Sequence, residues 1–115
     1  FVRAPLAIPT ARLVKAAAER VLAGADAADL SARFHNTLIQ TLSLAADEAR
    51  ERTGLSTVAL GGGVFQNEIL LAGLDHALAD QGFTVLRPVR VPPNDGAVAL
   101  GQAAVARARL MDREG

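Results

Sequence analysis

A strand–helix–strand unit spanning residues 57–86 limits the folds open to this chain more than any other feature. Two short apolar runs, Thr57 to Leu60 and Phe83 to Leu86, are too short for helices and predict buried strands. The segment between them predicts a helix from about Asn67 to Asp80, closed by Gly82. Strands joined by a helix of this length should be parallel, with a right-handed crossover. The sequence therefore predicts an α/β fold.

Helices flank this unit and complete the predicted order α-α-β-α-β-α. Start and stop signals predict a first helix that Pro9 and Thr10 open and Gly24 ends. A long second helix, capped by Asp26 or Asp29, should run to Thr53 and end at Gly54. A last helix should run from near Asp95 or Gly96 to about Met111, followed by a polar tail that frays. The predicted apolar faces are Leu13, Val14, Ala17, Val21 and Leu22 in the first helix, a stripe from Leu30 to Ala49 in the second, and Ile69, Leu70, Leu74 and Leu78 in the third.

Two parallel strands cannot form a complete sheet, because such strands need cover on both faces. The long second helix and the last helix should cover them only in part. The last helix also has a face of small residues, suited to close approach by another element: Ala97, Leu100, Gly101, Ala104, Val105 and Ala108. The chain opens with Phe1 rather than methionine. We therefore interpret residues 1–115 as a segment of a larger domain whose other strands lie upstream, and expect the isolated chain to self-associate.

Composition argues against several classes of function. Twelve basic and twelve acidic side chains give no electrostatic case for nucleic acid or an anionic membrane. No apolar run approaches the roughly 20 residues of a membrane span. Cysteine is absent, which excludes disulfide scaffolds and thiol catalysis and fits a reducing cytoplasm.

Two glycine-containing loops follow the predicted strands. Parallel strands bring Gly61-Gly62-Gly63 and Asn94-Asp95-Gly96 to one carboxyl edge, where open α/β sheets bind ligands. The helix N-termini that converge there suit an anionic group. Neither loop matches the dinucleotide or phosphate-loop patterns, so a tight turn is an equal alternative for the first. The second is equally a turn with a helix cap.

The two histidines do not indicate a metal site. His35 lies beside Phe34 on the stripe side of its helix and is interpreted as a packing residue, whereas His76 faces the polar side of its helix. No histidine pair stands four positions apart and no Cys/His cluster exists, so these residues alone cannot form a complete metal site. The sequence also offers no Ser-His-Asp arrangement.

Four segments together resemble one family. ARFHNTL (32–38), TVALGGGVFQNEILL (57–71), GFTVLRP (82–88) and VPPNDGAVALGQAAVA (91–106) are similar, in that order and spacing, to the C-terminal end of the HypF carbamoyltransferases of NiFe-hydrogenase maturation. The resemblance spans roughly residues 8 to 108, and the pairing of G-G-V-F-Q-N with P-P-N-D-G is its specific part.

This resemblance implies an incomplete lobe of an actin-like ATPase fold, shared with tRNA-threonylcarbamoyl transferases and antibiotic O-carbamoyltransferases. It implies that carbamoyl phosphate and ATP yield a carbamoyl-adenylate, and that the carbamoyl group passes to the C-terminal cysteine of the partner HypE. Acylphosphatase-like, zinc-finger and adenylate-forming domains, and a His-x-x-x-His pair of metal ligands, would lie upstream. Zinc would belong to those upstream domains alone, and the isolated fragment would be inactive.

The resemblance also implies roles for individual residues. Gly62, Gly63 and Asn67 match the family's nucleotide contact, and Asp95 matches an aspartate that helps to hold a divalent metal ion. Gly61 stands where the family often has serine. The full set of residues predicted to contact the nucleotide is Gly61, Gly62, Gly63, Asn67, Asn94 and Gly96.

Two other hypotheses remain open at this point. The chain could belong to another actin-like protein, such as a tRNA-threonylcarbamoyl transferase or a sugar or acetate kinase, although the residues Val64 to Asn67 and Pro92 to Asp95 argue against this. It could instead be a non-catalytic helical interaction module. Nucleotide binding by the full-length protein would separate the enzymes from the module.

Overall fold

The predicted order of helices and strands is the observed one, with a 3₁₀ turn added before each of the last two helices. The computed structural model describes residues 6–114, with side chains for residues 6–112. The described elements are α1 (Thr10–Leu22), α2 (Ala27–Thr53), β1 (Thr57–Ala59), the 3₁₀ turn Gly63–Gln66, α3 (Glu68–Asp80), β2 (Thr84–Leu86), the 3₁₀ turn Asp95–Ala97, and α4 (Val98–Glu114).

The long helix α2 begins and ends where local signals predict. Of the two candidate caps, Asp26 is the one used, because its carboxylate accepts hydrogen bonds from the backbone N–H groups of Ala28 and Asp29, both at 3.1 Å. Gly54 ends the helix with a φ of +74°, the left-handed conformation that favours glycine.

The strands β1 and β2 are adjacent and parallel, as predicted. Thr57 pairs with Thr84, Val58 with Val85, and Ala59 with Leu86. Both strands are three residues long, so Leu60 and Phe83, predicted as strand residues, flank them instead.

The core lies where α2, α3 and one face of this sheet meet. Its buried residues are Leu60, Leu74, Leu78 and Phe83, with Leu42, Ala46, Val58, Phe65, Leu71 and Val85 packed against them. The Arg50 guanidinium lies over the Phe83 ring at 4.3 Å and also donates to the Gln81 carbonyl oxygen at 2.8 Å. These contacts join the end of α2 to the start of β2.

The opposite face of the sheet has no cover within the described residues, so the strands are only partly buried, as expected for an incomplete sheet. Only the central residue of each strand is partly buried, while its neighbours are exposed. In α3, Leu70, Leu74 and Leu78 are buried as predicted, but Ile69 is 67% exposed. One helix covers one face of a sheet, and the second face needs an element from elsewhere.

The two terminal helices, α1 and α4, are also more exposed than predicted. In α1, Val14, Val21 and Leu22 of the predicted apolar face are exposed. Every described side chain of α4 from Val98 onward is exposed, so this helix does not cover the strands. Its backbone remains helical to Glu114, beyond the predicted end at Met111.

The result is an extended shape. The Cα radius of gyration is 18.0 Å, against about 13 Å for a compact domain of this length. Among the described residues, no helix combines the length and hydrophobicity that crossing a bilayer requires.

Candidate functional site

The two loops that follow the strands meet at the carboxyl edge of the sheet, as the parallel arrangement predicts. The backbone N–H of Gly62 donates a hydrogen bond to the carbonyl oxygen of Pro93 at 2.7 Å. Two residues before Gly62, the Leu60 N–H donates to Leu86 O at 2.8 Å. This bond extends the strand pairing toward the loops. The glycine loop and the Asn94–Gly96 turn therefore form one continuous edge.

Only one of the three glycines is required by backbone conformation. Gly62 has φ +104° and ψ 161°, a region that is essentially restricted to glycine. Gly61 and Gly63 have ordinary φ values, and a Cβ added to either would meet no atom within 4 Å. Within the described part of the chain, nothing is pressed against these two residues, and all three glycines are exposed.

A short turn separates the glycine loop from α3, which begins at Glu68, next to the predicted start at about Asn67. The 3₁₀ turn Gly63–Gln66 intervenes, with Phe65 N–H donating to Gly62 O and Asn67 N–H donating to Val64 O, both at 3.1 Å. Asn67 then caps α3, because its Oδ1 accepts from the Leu70 N–H at 3.1 Å. The glycine loop thus lies one turn away from the helix N-terminus.

The Asn67 side chain has a second partner that sequence reasoning missed. Its Nδ2 lies 2.8 Å from Nε2 of His35, and the other ring nitrogen of His35 lies 2.8 Å from the Ser31 carbonyl oxygen. His35 is half-buried, in agreement with a packing position, but both its nitrogens are engaged. No sequence signal links the two residues, because they are 32 positions apart on different helices.

The second loop is a capped turn. Asn94 Oδ1 accepts from the Gly96 N–H at 3.0 Å, and Ala97 N–H donates to Asn94 O at 3.2 Å. A Cβ on Gly96 would lie 3.0 Å from Asn94 Oδ1, so the tight turn favours glycine there. The turn-and-cap interpretation of this loop is confirmed, and it means that the Gly96 N–H is already occupied.

Asp95 is exposed at the start of the 3₁₀ turn, and the cap is Asn94. Among the described residues, no hydrogen bond or ion pair involves the Asp95 carboxylate, which leaves both oxygens open to solvent. The described residues contain no group of three metal-ligating side chains. The remaining histidine, His76, is exposed with Nε2 3.4 Å from Asp80 Oδ2, as expected of a surface residue.

Fold and site together define a class of protein. Adjacent parallel strands, a glycine loop and a capped turn at their carboxyl edges form the arrangement in which α/β domains bind ligands. A family model described as carbamoyltransferase, Kae1-like domain, second subdomain, matches residues 2–102. The chain therefore belongs to the HypF carbamoyltransferase family, which confirms the resemblance in its sequence and decides against the other actin-like proteins.

Individual relatives agree with this assignment. Carbamoyltransferase HypF of Rhizobium leguminosarum bv. viciae is 46% identical over 89 residues, which cover 77% of this chain and 11% of that protein. Carbamoyltransferase HypF2 of Cupriavidus necator is 44% identical over 91 residues, which cover 79% of this chain and 11% of that protein. The chain thus spans about a tenth of the length of these curated relatives.

A solved structure shows the same fold. The crystal structure of full-length HypF in the phosphate- and nucleotide-bound form superposes with a TM-score of 0.80 at 38% identity, covering 84% of this chain and 13% of that one. The described α/β segment is therefore a partial domain of the HypF carbamoyltransferase fold.

Proposed function

We propose that this chain is the C-terminal segment, residues 1–115, of the carbamoyltransferase domain of a HypF-type enzyme, and that it contributes nucleotide and metal contacts. Of this range, residues 1–5 and 115 lie outside the described structure. The observation that carries the proposal is the 2.7 Å hydrogen bond from Gly62 to Pro93. It joins the two loops that carry every predicted site residue except Asn67, which caps α3 one turn later.

The nucleotide would lie against the glycine loop. Gly61 and Gly63 have open space where a side chain would stand, so a phosphate or ribose can approach the backbone closely. Asn67 follows one turn later with an exposed amide that can contact the adenosine part. Asn94 and Gly96 would contribute through the shape of their turn, since the Gly96 N–H is bonded within it. The nucleotide-bound state of the solved HypF relative supports this proposal.

Asp95 fits a divalent metal ion. Its carboxylate is a hard oxygen ligand, is exposed, and has no partner among the described residues. When bound, the metal would neutralise phosphoryl charge on the adenylate. The other ligands would come from the upstream part of the domain, and zinc would be confined to separate upstream domains. Asp95 would occupy one coordination position of the metal, at the edge shared by the two loops.

The complete enzyme would use carbamoyl phosphate and ATP, form carbamoyl-adenylate, and carbamoylate the C-terminal cysteine of a HypE-type partner in hydrogenase maturation. We place it in the cytoplasm, where such a cysteine stays reduced. The catalytic residues would lie upstream of this segment, so the isolated chain should be inactive.

The test is Asp95→Asn in the full-length enzyme. Because Asn94 provides the cap, this change leaves the turn intact but removes a strong metal ligand. We expect thermal unfolding within about 1 kcal/mol of wild type. We expect carbamoyl transfer to the partner cysteine to fall at least about tenfold, equivalent to about 1.4 kcal/mol of barrier.

Asp112→Asn is the matched control. Asp112 is an exposed carboxylate on α4, the helix that follows the turn, and it lies about 20 Å from the turn along the helix axis. Its replacement should leave transfer unchanged. Unchanged transfer in Asp95→Asn as well would show that Asp95 is not a metal ligand.

A further inference from the structure

A side-chain contact joins α2 to the start of α3 beside the proposed nucleotide site. Nε2 of His35 lies 2.8 Å from Nδ2 of Asn67. We propose that His35 is a positioning residue, which orients the Asn67 amide toward the nucleotide. The inference rests on the proposed function, because it requires Asn67 to contact that nucleotide.

The partners of the two side chains determine which atoms donate. The Leu70 N–H can only donate, so the Asn67 atom 3.1 Å from it is the carbonyl oxygen Oδ1. The other end of the amide is then the NH₂ group, which donates to His35. The Ser31 carbonyl oxygen can only accept, so Nδ1 of His35 carries the proton. Nε2 is left with the lone pair that accepts from Asn67, and the network requires a neutral ring.

Both bonds at the Asn67 amide fix its rotation. A rotation of 180° would place the NH₂ group against the Leu70 N–H and the oxygen against a histidine nitrogen that has no proton. Each half of the amide nonetheless keeps one unused position, since NH₂ has two donors and the oxygen has two lone pairs. Asn67 is an exposed residue, and its two bonds hold this second donor and second acceptor in one orientation. A ligand would meet an amide that is already oriented, which lowers the cost of ordering it.

The His35 ring is fixed in turn by its own helix. Ser31 precedes His35 by four positions, so its carbonyl oxygen already accepts the His35 backbone N–H in α2. The bond to Nδ1 is therefore additional, and its effect is to set the tautomer and direction of the ring.

A double-mutant cycle on ATP binding by the full-length enzyme tests the inference, with His35→Phe and Asn67→Ala. Phenylalanine keeps a ring in the half-buried position but cannot accept from Asn67. We expect His35→Phe to weaken ATP binding about fivefold, the scale of one hydrogen bond. In the Asn67→Ala background the same change should alter the dissociation constant by less than about twofold, because its target is gone.

His35→Gln provides the conservative control. Glutamine can place a carbonyl oxygen near the position of Nε2, so it should retain binding within about twofold of wild type. It also carries the test if His35→Phe fails to fold. Binding lost equally in the glutamine and phenylalanine variants, or lost by the same factor with and without Asn67, would overturn the positioning role. No effect of Asn67→Ala alone would refute the nucleotide contact itself, together with this inference, but would leave the Asp95 assignment standing.

Discussion

The helices α3 and α4 each follow a 3₁₀ turn at the same edge of the sheet, yet only α3 is packed. Leu70, Leu74 and Leu78 of α3 are at most 2% exposed, whereas Leu100 and Val105 of α4 are 60% and 53% exposed. Both helices have an apolar or small-residue face, so the sequence pattern alone does not separate them. The difference is that α3 has α2 and the sheet beside it, and α4 has no such neighbour among the described residues.

This contrast shows what an apolar helix face specifies. It requires burial, but it does not determine which element provides the cover. The accessible surface of the chain is 8861 Å², against about 6000 Å² expected for a folded monomer of this mass. Exposed apolar residues of α1, α4 and β2, such as Val21, Leu100 and Leu86, contribute to this excess.

The largest effect should be on the assembly of the isolated chain. Its exposed faces and strand edges favour pairing between copies. We expect light scattering to give at least about twice the monomer mass at high concentration, falling on dilution, because a closed dimer is the commonest assembly. A charge on α4, as in Leu100→Lys, should weaken this association if α4 is the contact. A compact monomer that does not change on dilution would contradict the prediction.

The second prediction compares the two helices directly by stability. Leu78→Ala should destabilise the chain by about 2–5 kcal/mol, because a buried leucine leaves a cavity. Leu100→Ala in the exposed face of α4 should stay within about 0.5 kcal/mol. Urea unfolding at a concentration where the chain is monomeric measures both.

Leu78→Ala and Leu100→Ala also compare α3 with α4 in the full-length enzyme. There Leu100→Ala should become costly, since the complete domain would bury that face of α4. Equal costs for the two changes in the isolated chain would mean that α4 is packed in solution. A negligible cost of Leu100→Ala in the full-length enzyme would mean that the α4 face stays exposed there.

Local signals were sufficient where the chain itself supplies both partners of an interaction. Asp26 at the start of α2, Gly54 at its end and Asn67 before α3 could each be placed from residues a few positions away. The parallel pairing followed from the length of the connecting helix, and this pairing is sufficient to predict that the two loops meet at one edge. The family was predicted from resemblance, and the proposed roles of Asp95 and the glycines rest on the same resemblance.

What could not be predicted depends on contacts distant in sequence or outside the chain. The expectation that α4 covers the strands in part was wrong, because an amphipathic pattern does not determine which element a helix packs against. Ile69 was assigned to the core, but lies on the open side of α3 at 67% exposure. The contact of His35 with Asn67 joins residues 32 positions apart, and the periodicities of helices and strands predict no contact at that separation. The nucleotide and metal contacts stay predictions.

The smallest effect concerns the glycine loop, where the comparison is between neighbouring residues. Gly62 has φ +104° and ψ 161°, so Gly62→Ala should cost about 1–3 kcal/mol through backbone strain alone. Gly63→Ala should stay within about 0.5 kcal/mol, because that residue has an ordinary φ and open space around a Cβ. Urea unfolding of the two variants measures the difference.

Nucleotide binding should rank these two variants differently if a ligand approaches the loop. In the full-length enzyme, Gly63→Ala would place a methyl group in the space that the proposed nucleotide needs, so ATP binding should weaken although folding is unaffected. Gly62→Ala should affect folding as well, because it disturbs the residue whose N–H donates to Pro93 O. Loss of ATP binding in Gly63→Ala at unchanged stability would distinguish a glycine required by the ligand from one required by its backbone conformation. Wild-type ATP binding in Gly63→Ala would mean that the open space beside Gly63 is solvent in the complete enzyme too.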